Sequence, residues 1–260
     1  MLFGPGPTLC GHRGSGRGIV GGQRENTLGS FLAAVEAGIP WVEVDSRATA
    51  DGVLVARHDP IAPDGRFMAE ITGAEAEALG IMPLAELLEE LPAEIGIDVD
   101  IKTAIEDALR PREATTAALT AGLVEPYAAT RPLLLSSFDA SALGIVRERV
   151  PDVPVGLLTW KQFPLRKAIP AAVHLGAAVV VPHATSFPEP GDGRALERPA
   201  SDSVEVAHRA GLEVLAWGAS HARAAELFDA GVDCVCVDDA PKAVRAVQRA
   251  SRPKRSLRRW

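Results

Sequence analysis

Short apolar runs alternate with longer amphipathic stretches along nearly the whole chain. The short runs are rich in Val, Ile and Leu and are continuous rather than alternating, which is typical of strands covered on both faces. We predict eight strands: Thr8–Cys10, Trp41–Asp45, Ile95–Ile101, Leu133–Ser136, Val153–Leu158, Ala178–Val181, Leu212–Ala216 and Cys234–Val237.

The stretches between these strands have helical period and are rich in Ala, Glu and Arg. The predicted helices are Thr27–Ala37, Leu84–Leu91, Ile105–Ala121, Ala140–Arg149, Leu165–Leu175, Ser201–Ala210, His221–Ala230 and Pro241–Ala250. Pro111 can break or end the third of them. Strands that alternate with helices indicate an α/β fold with a parallel sheet. Eight such units favour a closed (β/α)8 TIM barrel over an open sheet, although periodicity alone does not separate the two.

The predicted domain organisation is simple. We expect one barrel domain over residues 1–250, without a sizeable insertion subdomain, and a basic, disordered tail over residues 251–260. The loop around Gly191–Gly193 follows the sixth strand, on the face where a barrel carries its site. No apolar run approaches the ~18 residues of a membrane helix, and the first residues lack signal-peptide features. The sequence therefore predicts a cytoplasmic protein without a transmembrane segment.

Composition and charge restrict the partners. Of the 260 residues 47% are hydrophobic and 23% charged, which excludes general disorder. The formal net charge is -7, and five basic residues with no acid lie in the last ten, so residues 1–250 carry -12. Such a body repels nucleic acid and other anions at long range, so an anionic ligand requires local positive groups. Three cysteines without metal-type spacing give no disulfide framework. The oligomeric state stays open.

Charged and polar residues cluster where barrel strands should end. Residues on alternate positions of a strand point to one side, so charged side chains two apart share a face. Charged groups are almost never buried unless they are paired or bind a metal, so such pairs within apolar strands need a partner of opposite charge. The clusters are Gly11-His12-Arg13-Gly14, Glu43 with Asp45, Asp98 with Asp100 and Lys102, and His58-Asp59, which the Asp51-Gly52 hairpin signal returns toward the second strand.

These residue types suit metal-assisted displacement at phosphorus. Oxygen ligands from Glu43, Asp45 and Asp100 fit one divalent cation, Mg²⁺ or Ca²⁺ with Mn²⁺ as a third choice, rather than zinc. Two histidines, His12 and His58, can exchange protons near neutral pH, and Arg13 and Lys102 can hold an anion. The alternative is a salt-bridge network in which Glu43 and Asp45 pair with Arg13 and Lys102.

The chain also resembles a known family, the glycerophosphodiester phosphodiesterases. The resemblance is specific within residues 11–59 and spans nearly the whole chain. It is carried by Gly11-His12-Arg13-Gly14, Glu25-Asn26-Thr27, Phe31, Ala34, Gly38, Glu43-Val44-Asp45, Thr49, Asp51-Gly52, Val55, His58-Asp59, Met82-Pro83-Leu84, Glu86-Leu87-Leu88, Asp100-Ile101-Lys102, Leu135-Ser136-Ser137-Phe138, Gly231-Val232-Asp233, Asp238 and Pro241.

The resemblance implies a TIM barrel that hydrolyses glycerophosphodiesters to glycerol 3-phosphate and an alcohol, with one divalent metal. By position it makes Glu43, Asp45 and Asp100 the metal ligands and His12 and His58 the acid/base pair. It further implies that Arg13, Glu25 and Lys102 orient the phosphate and its network, and that Phe138 and Trp217 pack against the glycerol or the leaving group.

The sequence departs from the family pattern at several positions. Asp100 stands where the family usually has Glu, and Asp98 stands where it has an uncharged residue. Gly218-Ala219-Ser220 follows Trp217 in place of Thr-Val-Asn. Two other functions therefore stay open: a phospholipase-type lyase that releases a cyclic phosphate, and a non-catalytic barrel that binds phosphodiesters. The headgroup, the metal and the nucleophile, water or the glycerol hydroxyl, are also open.

Overall fold

The fold is a closed barrel of parallel strands in a computed structural model, which describes residues 1–188 and 198–250. The strands are β1 (Thr8–His12), β2 (Ile19–Val20), β3 (Gln23–Arg24), β4 (Trp41–Ala48), β5 (Leu54–Ala56), β6 (Gly96–Ile101), β7 (Leu133–Ser137), β8 (Val155–Leu158), β9 (Val179–Val181), β10 (Glu213–Ala219) and β11 (Cys234–Val237). The barrel order is β1-β4-β6-β7-β8-β9-β10-β11, and β1 pairs in parallel with both β11 and β4, which closes it. The eight predicted barrel strands and the TIM-barrel class are confirmed.

Two short antiparallel strand pairings are added to this barrel. Strands β2 and β3 form a small hairpin directly after β1, with Ile19 opposite Arg24. Strand β5 pairs with the end of β4, with Ser46 opposite Ala56. The hairpin predicted from Asp51-Gly52 is therefore confirmed, and it returns the chain to the carboxyl end of β4.

The described residues contain nine α-helices. They are α1 (Leu28–Glu36), α2 (Gly73–Ala78), α3 (Leu84–Glu90), α4 (Thr116–Val124), α5 (Ala140–Arg149), α6 (Leu165–Leu175), α7 (Ala200–Arg209), α8 (His221–Asp229) and α9 (Ala240–Ala250). The predicted helix Ile105–Ala121 is wrong in its first half, where two 3-10 turns flank Pro111 and α4 begins only at Thr116. Proline removes a backbone donor and clashes with the preceding turn, so the helix starts after it. Helix α2 was not predicted from the sequence.

The strand register sets the level of the charged side chains. In the parallel pairing of β4 with β6, Glu43 lies beside Asp98 and Asp45 beside Asp100. His12 lies beside Glu43 in the pairing of β1 with β4. Because neighbouring residues in register lie at one height, the register brings these groups to the same end of the barrel.

Apolar side chains fill the space between strands and helices and the barrel interior. The interior cluster includes Cys10, Cys234, Cys236, Trp41 and Leu215. All three cysteines are buried and free, and burial raises the pKa of the Cys10 thiol well above its usual value. The cysteines are therefore core residues, and Cys234 and Cys236 alternate with Val235 and Val237 along the buried strand β11.

Three further predictions concern a loop, the C-terminal tail and the absence of a membrane span. The predicted loop Gly191–Gly193 and the basic tail, residues 251–260, lie outside the described residues. Within residues 1–188 and 198–250, no helix is both long enough and apolar enough to cross a membrane.

Close packing at Gly96 gives a test of the barrel. A Cβ atom at Gly96 would lie 2.2 Å from Trp41 Cδ2, on the neighbouring strand. We expect Gly96→Ala to lower the free energy of unfolding by about 1–3 kcal/mol, because the buried indole must move. The matched control is Gly122→Ala on the exposed side of α4, where a Cβ meets nothing within 4 Å and should raise the free energy of unfolding by about 0.5–1 kcal/mol. Urea unfolding curves measure both, and equal stability of the two variants would contradict the packing.

Candidate active site

The loop after β1 turns sharply to bring His12 and Arg13 over β4. Arg13 adopts a left-handed backbone conformation (φ 53°), and Gly14 follows with φ 94°. A Cβ at Gly14 would lie 2.6 Å from Ser30 Oγ, so only glycine fits. The Arg13 N–H donates to Glu43 Oε2 at 2.9 Å. The turn is therefore tied directly to the carboxylate beside it.

Three buried carboxylates meet at the mouth of the barrel. Oxygen atoms of Glu43, Asp45 and Asp100 all lie within 4.8 Å of one another, so this group could hold a metal ion. All three side chains are buried, and Asp45 is 0% exposed. Asp100 Oδ1 is buried without a hydrogen-bond partner, as is Asp98 Oδ1 next to it. An unpartnered buried carboxylate oxygen among other carboxylates fits a hard divalent cation.

Ion pairs cross the same cluster. Lys102 Nζ lies 3.0 Å from Asp45 Oδ1 and also contacts Asp100. Arg13 Nε lies 3.0 Å from Asp45 Oδ2, and Arg13 Nη1 donates to Glu25 Oε1 at 2.8 Å. The predicted salt-bridge alternative is thus present in part, but it leaves oxygens of Asp98 and Asp100 unpaired. Lys102 and Arg13 thus hold Asp45, whereas Asp98 Oδ1 and Asp100 Oδ1 could still accept a ligand.

Proton binding balances the excess negative charge. Burial, with repulsion from Asp45 and Asp100, raises the pKa of Glu43 well above its usual value. Burial also raises the pKa of Asp98 to about 7. Burial opposes ionisation of Asp45 too, but Lys102 and Arg13 outweigh it and lower the pKa to about 2. Burial and the neighbouring charges therefore favour the ionised form of Asp45 and the protonated forms of Glu43 and Asp98.

Both predicted histidines are oriented by carboxylates. His12 Nδ1 donates to Asp238 Oδ1 at 2.5 Å, and its Nε2 lies 3.8 Å from Glu43 Oε2. The hydrogen bond to His12 lowers the pKa of Asp238, which keeps that carboxylate ionised. His58 Nδ1 donates to Asp59 Oδ1 at 2.8 Å, and its side chain is 43% exposed. In each ring one nitrogen is fixed and the other is left for proton exchange.

An aromatic wall, formed by Phe138, Trp160 and Trp217, lines another part of the same cavity. Phe138 meets the edge of Trp217 with ring centroids 5.7 Å apart and stacks on Trp160 at 4.2 Å. Trp217 Nε1 donates to the carbonyl of Thr159 at 3.1 Å, which fixes the indole. Lys102 Nζ lies 5.7 Å from the Phe138 ring centroid. The wall thus joins an apolar surface to the charged cluster.

The predicted residues form one connected site. They surround a cavity of about 320 Å³ at the carboxyl ends of the strands. Asp45 lies below its surface, and Glu25 lies behind Arg13 and outside the cavity lining. The predicted residues that line the cavity are His12, Arg13, Glu43, His58, Asp100, Lys102, Phe138 and Trp217.

Four further residues had no predicted role. Arg47 donates through Nη2 to the carbonyl of His58 at 2.6 Å. It continues the alternation of Glu43 and Asp45 along β4, and this period of two could have predicted it as a site residue. Asn26 donates to Asp45 Oδ2 at 2.8 Å, and Trp160 is 65% exposed at the cavity mouth. Asp238 lies 226 residues from its partner His12, so no local pattern indicates the pair.

Fold and site together define a class: a TIM barrel with an acidic cluster and two carboxylate-paired histidines at the carboxyl edge of its strands. The model of the glycerophosphoryl diester phosphodiesterase family matches residues 12–242. That span includes every element of the site. The chain belongs to this family, and the resemblance inferred from the sequence is confirmed.

Individual relatives agree with this assignment. Glycerophosphodiester phosphodiesterase GDPD2 of Arabidopsis thaliana is 26% identical over 202 residues, 60% of this chain and 54% of the relative. The chain spans about half the length of the curated relatives it matches. A phosphodiesterase of Oleispira antarctica, solved in complex with the product sn-glycerol-3-phosphate, is 25% identical with a TM-score of 0.75 over 93% of this chain and 97% of that one. The glycerophosphodiester phosphodiesterase of Thermotoga maritima, 21% identical, has the same fold, with a TM-score of 0.71 over 93% and 99%.

Cation binding at the three carboxylates can be measured directly. We expect Mg²⁺, Ca²⁺ or Mn²⁺ to bind with release of protons, because the raised pKa of Glu43 means that a cation displaces a proton. Affinity should rise with pH for the same reason. Titration calorimetry in two buffers of different ionisation enthalpy measures the release.

Two matched variants distinguish cation binding at the three carboxylates from nonspecific attraction to the negative charge of the protein. Asp45→Asn should weaken binding by about tenfold or more. Asp152→Asn, an exposed carboxylate before β8, should leave it unchanged. Equal affinities for the two variants, or binding without proton release, would contradict the assignment.

Proposed function

We propose that the protein hydrolyses glycerophosphodiesters to sn-glycerol 3-phosphate and an alcohol, with His12 and His58 as the acid/base pair and a divalent cation as cofactor. The observation that carries this proposal is the single cavity that holds two carboxylate-paired histidines beside three clustered carboxylates. Membership of the family and the product complex of the Oleispira antarctica relative support it. The substrate is a small molecule.

Glu43, Asp45 and Asp100 would hold the cation. Three carboxylates suit Mg²⁺ or Ca²⁺, and when bound the cation supplies positive charge to the phosphodiester and its transition state. Asp100 is one methylene shorter than the residue usual in the family. Its oxygen nevertheless lies within 4.8 Å of the other two, which supports its role as a ligand.

Two basic residues would bind the non-bridging phosphate oxygens. Arg13 and Lys102 both line the cavity, and both are held by the carboxylate of Asp45. Glu25 fixes the Arg13 guanidinium from behind. Phe138 and Trp217 would pack against the carbon atoms of the glycerol, because an apolar wall excludes water from that side.

Proton transfer completes the reaction. His12 would remove the proton from the attacking hydroxyl, and Asp238 would stabilise the imidazolium that forms. His58 would protonate the leaving alkoxide, with Asp59 in the matching role. The attacking hydroxyl belongs either to water, which gives glycerol 3-phosphate directly, or to the substrate's own glycerol, which first gives a cyclic phosphate.

The other two functions inferred from the sequence are outcomes of the same test. A lyase would stop at the cyclic phosphate. A non-catalytic barrel would bind the diesters without turnover. The cytoplasmic location stays a prediction of the sequence, and the same holds for the exclusion of nucleic acid.

A panel of diesters tests the reaction. Glycerophosphocholine, glycerophosphoethanolamine and glycerophosphoglycerol should each give glycerol 3-phosphate in the presence of Mg²⁺, Ca²⁺ or Mn²⁺ and none after chelation. His12→Ala and His58→Ala should each lower kcat by about 10²- to 10⁴-fold, the contribution of one acid or base. His174→Ala, on α6, is the control and should be unaffected.

Phosphorus NMR reads the product. A phosphomonoester supports the hydrolase, a persistent cyclic phosphate would instead identify the lyase, and binding without any product would identify the non-catalytic barrel. Normal turnover by the His12→Ala variant would overturn the assignment of the base.

Asp238 has a positioning role that can be separated from folding. Asp238→Asn should lower kcat by about 10²-fold with a small change in KM, because His12 loses the carboxylate that orients its ring and stabilises its charge. Asp239→Asn is the matched control: Asp239 caps α9 by accepting from the Lys242 N–H, and asparagine caps equally well. Steady-state kinetics with unchanged Tm measures the effect, and equal kcat for the two variants would refute the role.

A further inference from the structure

A second groove adjoins the central cavity on the side of His58. Its volume, about 330 Å³, matches that of the central cavity. Among the described residues His58 alone lines both spaces. Strands β2 and β3 form one wall, and the segment around Arg57 and Asp59 forms another. His58 therefore lies between the two spaces.

Three arginines face the groove: Arg17, Arg24 and Arg57. Arg57 Nη2 donates to the carbonyl of Ile61 at 2.9 Å, while its Nε is buried without a partner. Arg17 and Arg24 are exposed, and their guanidinium groups form no hydrogen bond or ion pair among residues 1–188 and 198–250. The groove thus carries guanidinium donors that the protein does not use.

The two acidic residues of the groove are already partnered. Glu25 accepts from Arg13 Nη1 at 2.8 Å and from the Gly18 N–H. Asp59 accepts from His58 at 2.8 Å. Asp59 Oδ2 also lies 3.9 Å from Arg57 Nη2, so Arg57 is paired within the groove. Arg17 and Arg24 form no such pair with any residue that the structure describes, and their positive charge is left to a ligand.

The hairpin of β2 and β3 ties the arginines to the site. The Glu25 N–H donates to the Gly18 carbonyl at 2.7 Å, and the Glu25 carboxylate binds Arg13. Arg17 immediately precedes Gly18 in the sequence, and Arg24 immediately precedes Glu25. Exposed arginines are ordinarily solvated, but these two line a groove that lies next to the proposed acid, His58.

We infer that this groove binds the leaving alcohol and that its arginines select alcohols that carry a second anionic group, a phosphate or a carboxylate. The inference rests on the proposed function, because it takes His58 as the group that protonates the leaving alkoxide. The leaving alcohol then lies beside His58, and the space beyond it is the groove.

The chemistry of the groove fits such an anion. A guanidinium presents a planar fork of donors that matches phosphate and carboxylate oxygens. The body of the chain carries -12 over residues 1–250, so a ligand with two anionic groups is repelled at long range. Local positive charge on both sides of His58, at Arg13 and at the groove, offsets that repulsion.

A set of diesters that differ only in the leaving alcohol tests the inference. Bis(glycerophospho)glycerol releases a phosphate-bearing alcohol, a diester of glycerate releases a carboxylate, glycerophosphoglycerol releases neutral glycerol, and glycerophosphocholine releases a cation. We expect kcat/KM for the phosphate-bearing substrate, halved for its two equivalent ends, to exceed that for glycerophosphoglycerol by about tenfold at low salt. The ratio should fall as ionic strength rises. The ratio for the glycerate diester tells whether carboxylate is also accepted.

Variants of the arginines test whether the groove causes this ratio of kcat/KM values. The double variant Arg17→Gln/Arg24→Gln should reduce the ratio to near one, whereas Arg149→Gln, at the exposed far end of α5, should leave it unchanged. An unchanged ratio in the double variant, or a preference of the unmodified protein for the neutral or cationic alcohol, would overturn the inference alone. Absence of turnover on all four diesters would overturn the proposed function and this inference with it.

Discussion

The close approach of buried carboxylates at the barrel mouth is the constraint on which the rest of the structure depends. In-register pairing of β4 with β6 sets Glu43 beside Asp98 and Asp45 beside Asp100. Burial disfavours each charge and every neighbouring carboxylate adds repulsion, so the arrangement requires positive charge. Lys102 supplies part of it, and the raised pKa values of Glu43 and Asp98 favour their uncharged forms. The concentration of negative charge at the barrel mouth is therefore a consequence of strand register.

The same carboxylates order the loop above them. Arg13 and Asn26 both have left-handed backbone conformations, at φ 53° and 55°, which cost about 1–3 kcal/mol each for residues other than glycine. Hydrogen bonds offset this cost: Arg13 N–H donates to Glu43, Asn26 N–H donates to the Arg13 carbonyl, and Asn26 Nδ2 donates to Asp45. The residues that would bind a cation thus also hold His12 and its loop in place.

Local patterns predicted the parts of the site that depend on local geometry. The period of two placed Glu43 and Asp45 on one face of a strand, and the Asp51-Gly52 turn returned His58 to it. The Asp238–His12 pair escaped prediction because it exists only when β1 and β11 close the barrel. Trp160 lies in the loop after β8, where no periodicity applies. The helix predicted from Ile105 failed because proline geometry overrode helical composition.

Under the proposed function, the barrel strands and the loops that follow them would bind different parts of a diester. Acidic side chains predominate on the inward faces of β4 and β6, where Arg47 is accompanied by Glu43, Asp45, Asp98 and Asp100. Arg17 lies in the loop before β2 and Arg24 lies on β3, so both stand outside the strands of the barrel. In the proposed reaction, one side of the phosphate would meet the aromatic wall and the other the basic groove. Changes in the hairpin can alter the preferred leaving alcohol while the buried charge balance at the barrel mouth is preserved, because no strand pairing depends on Arg17 or Arg24 side chains.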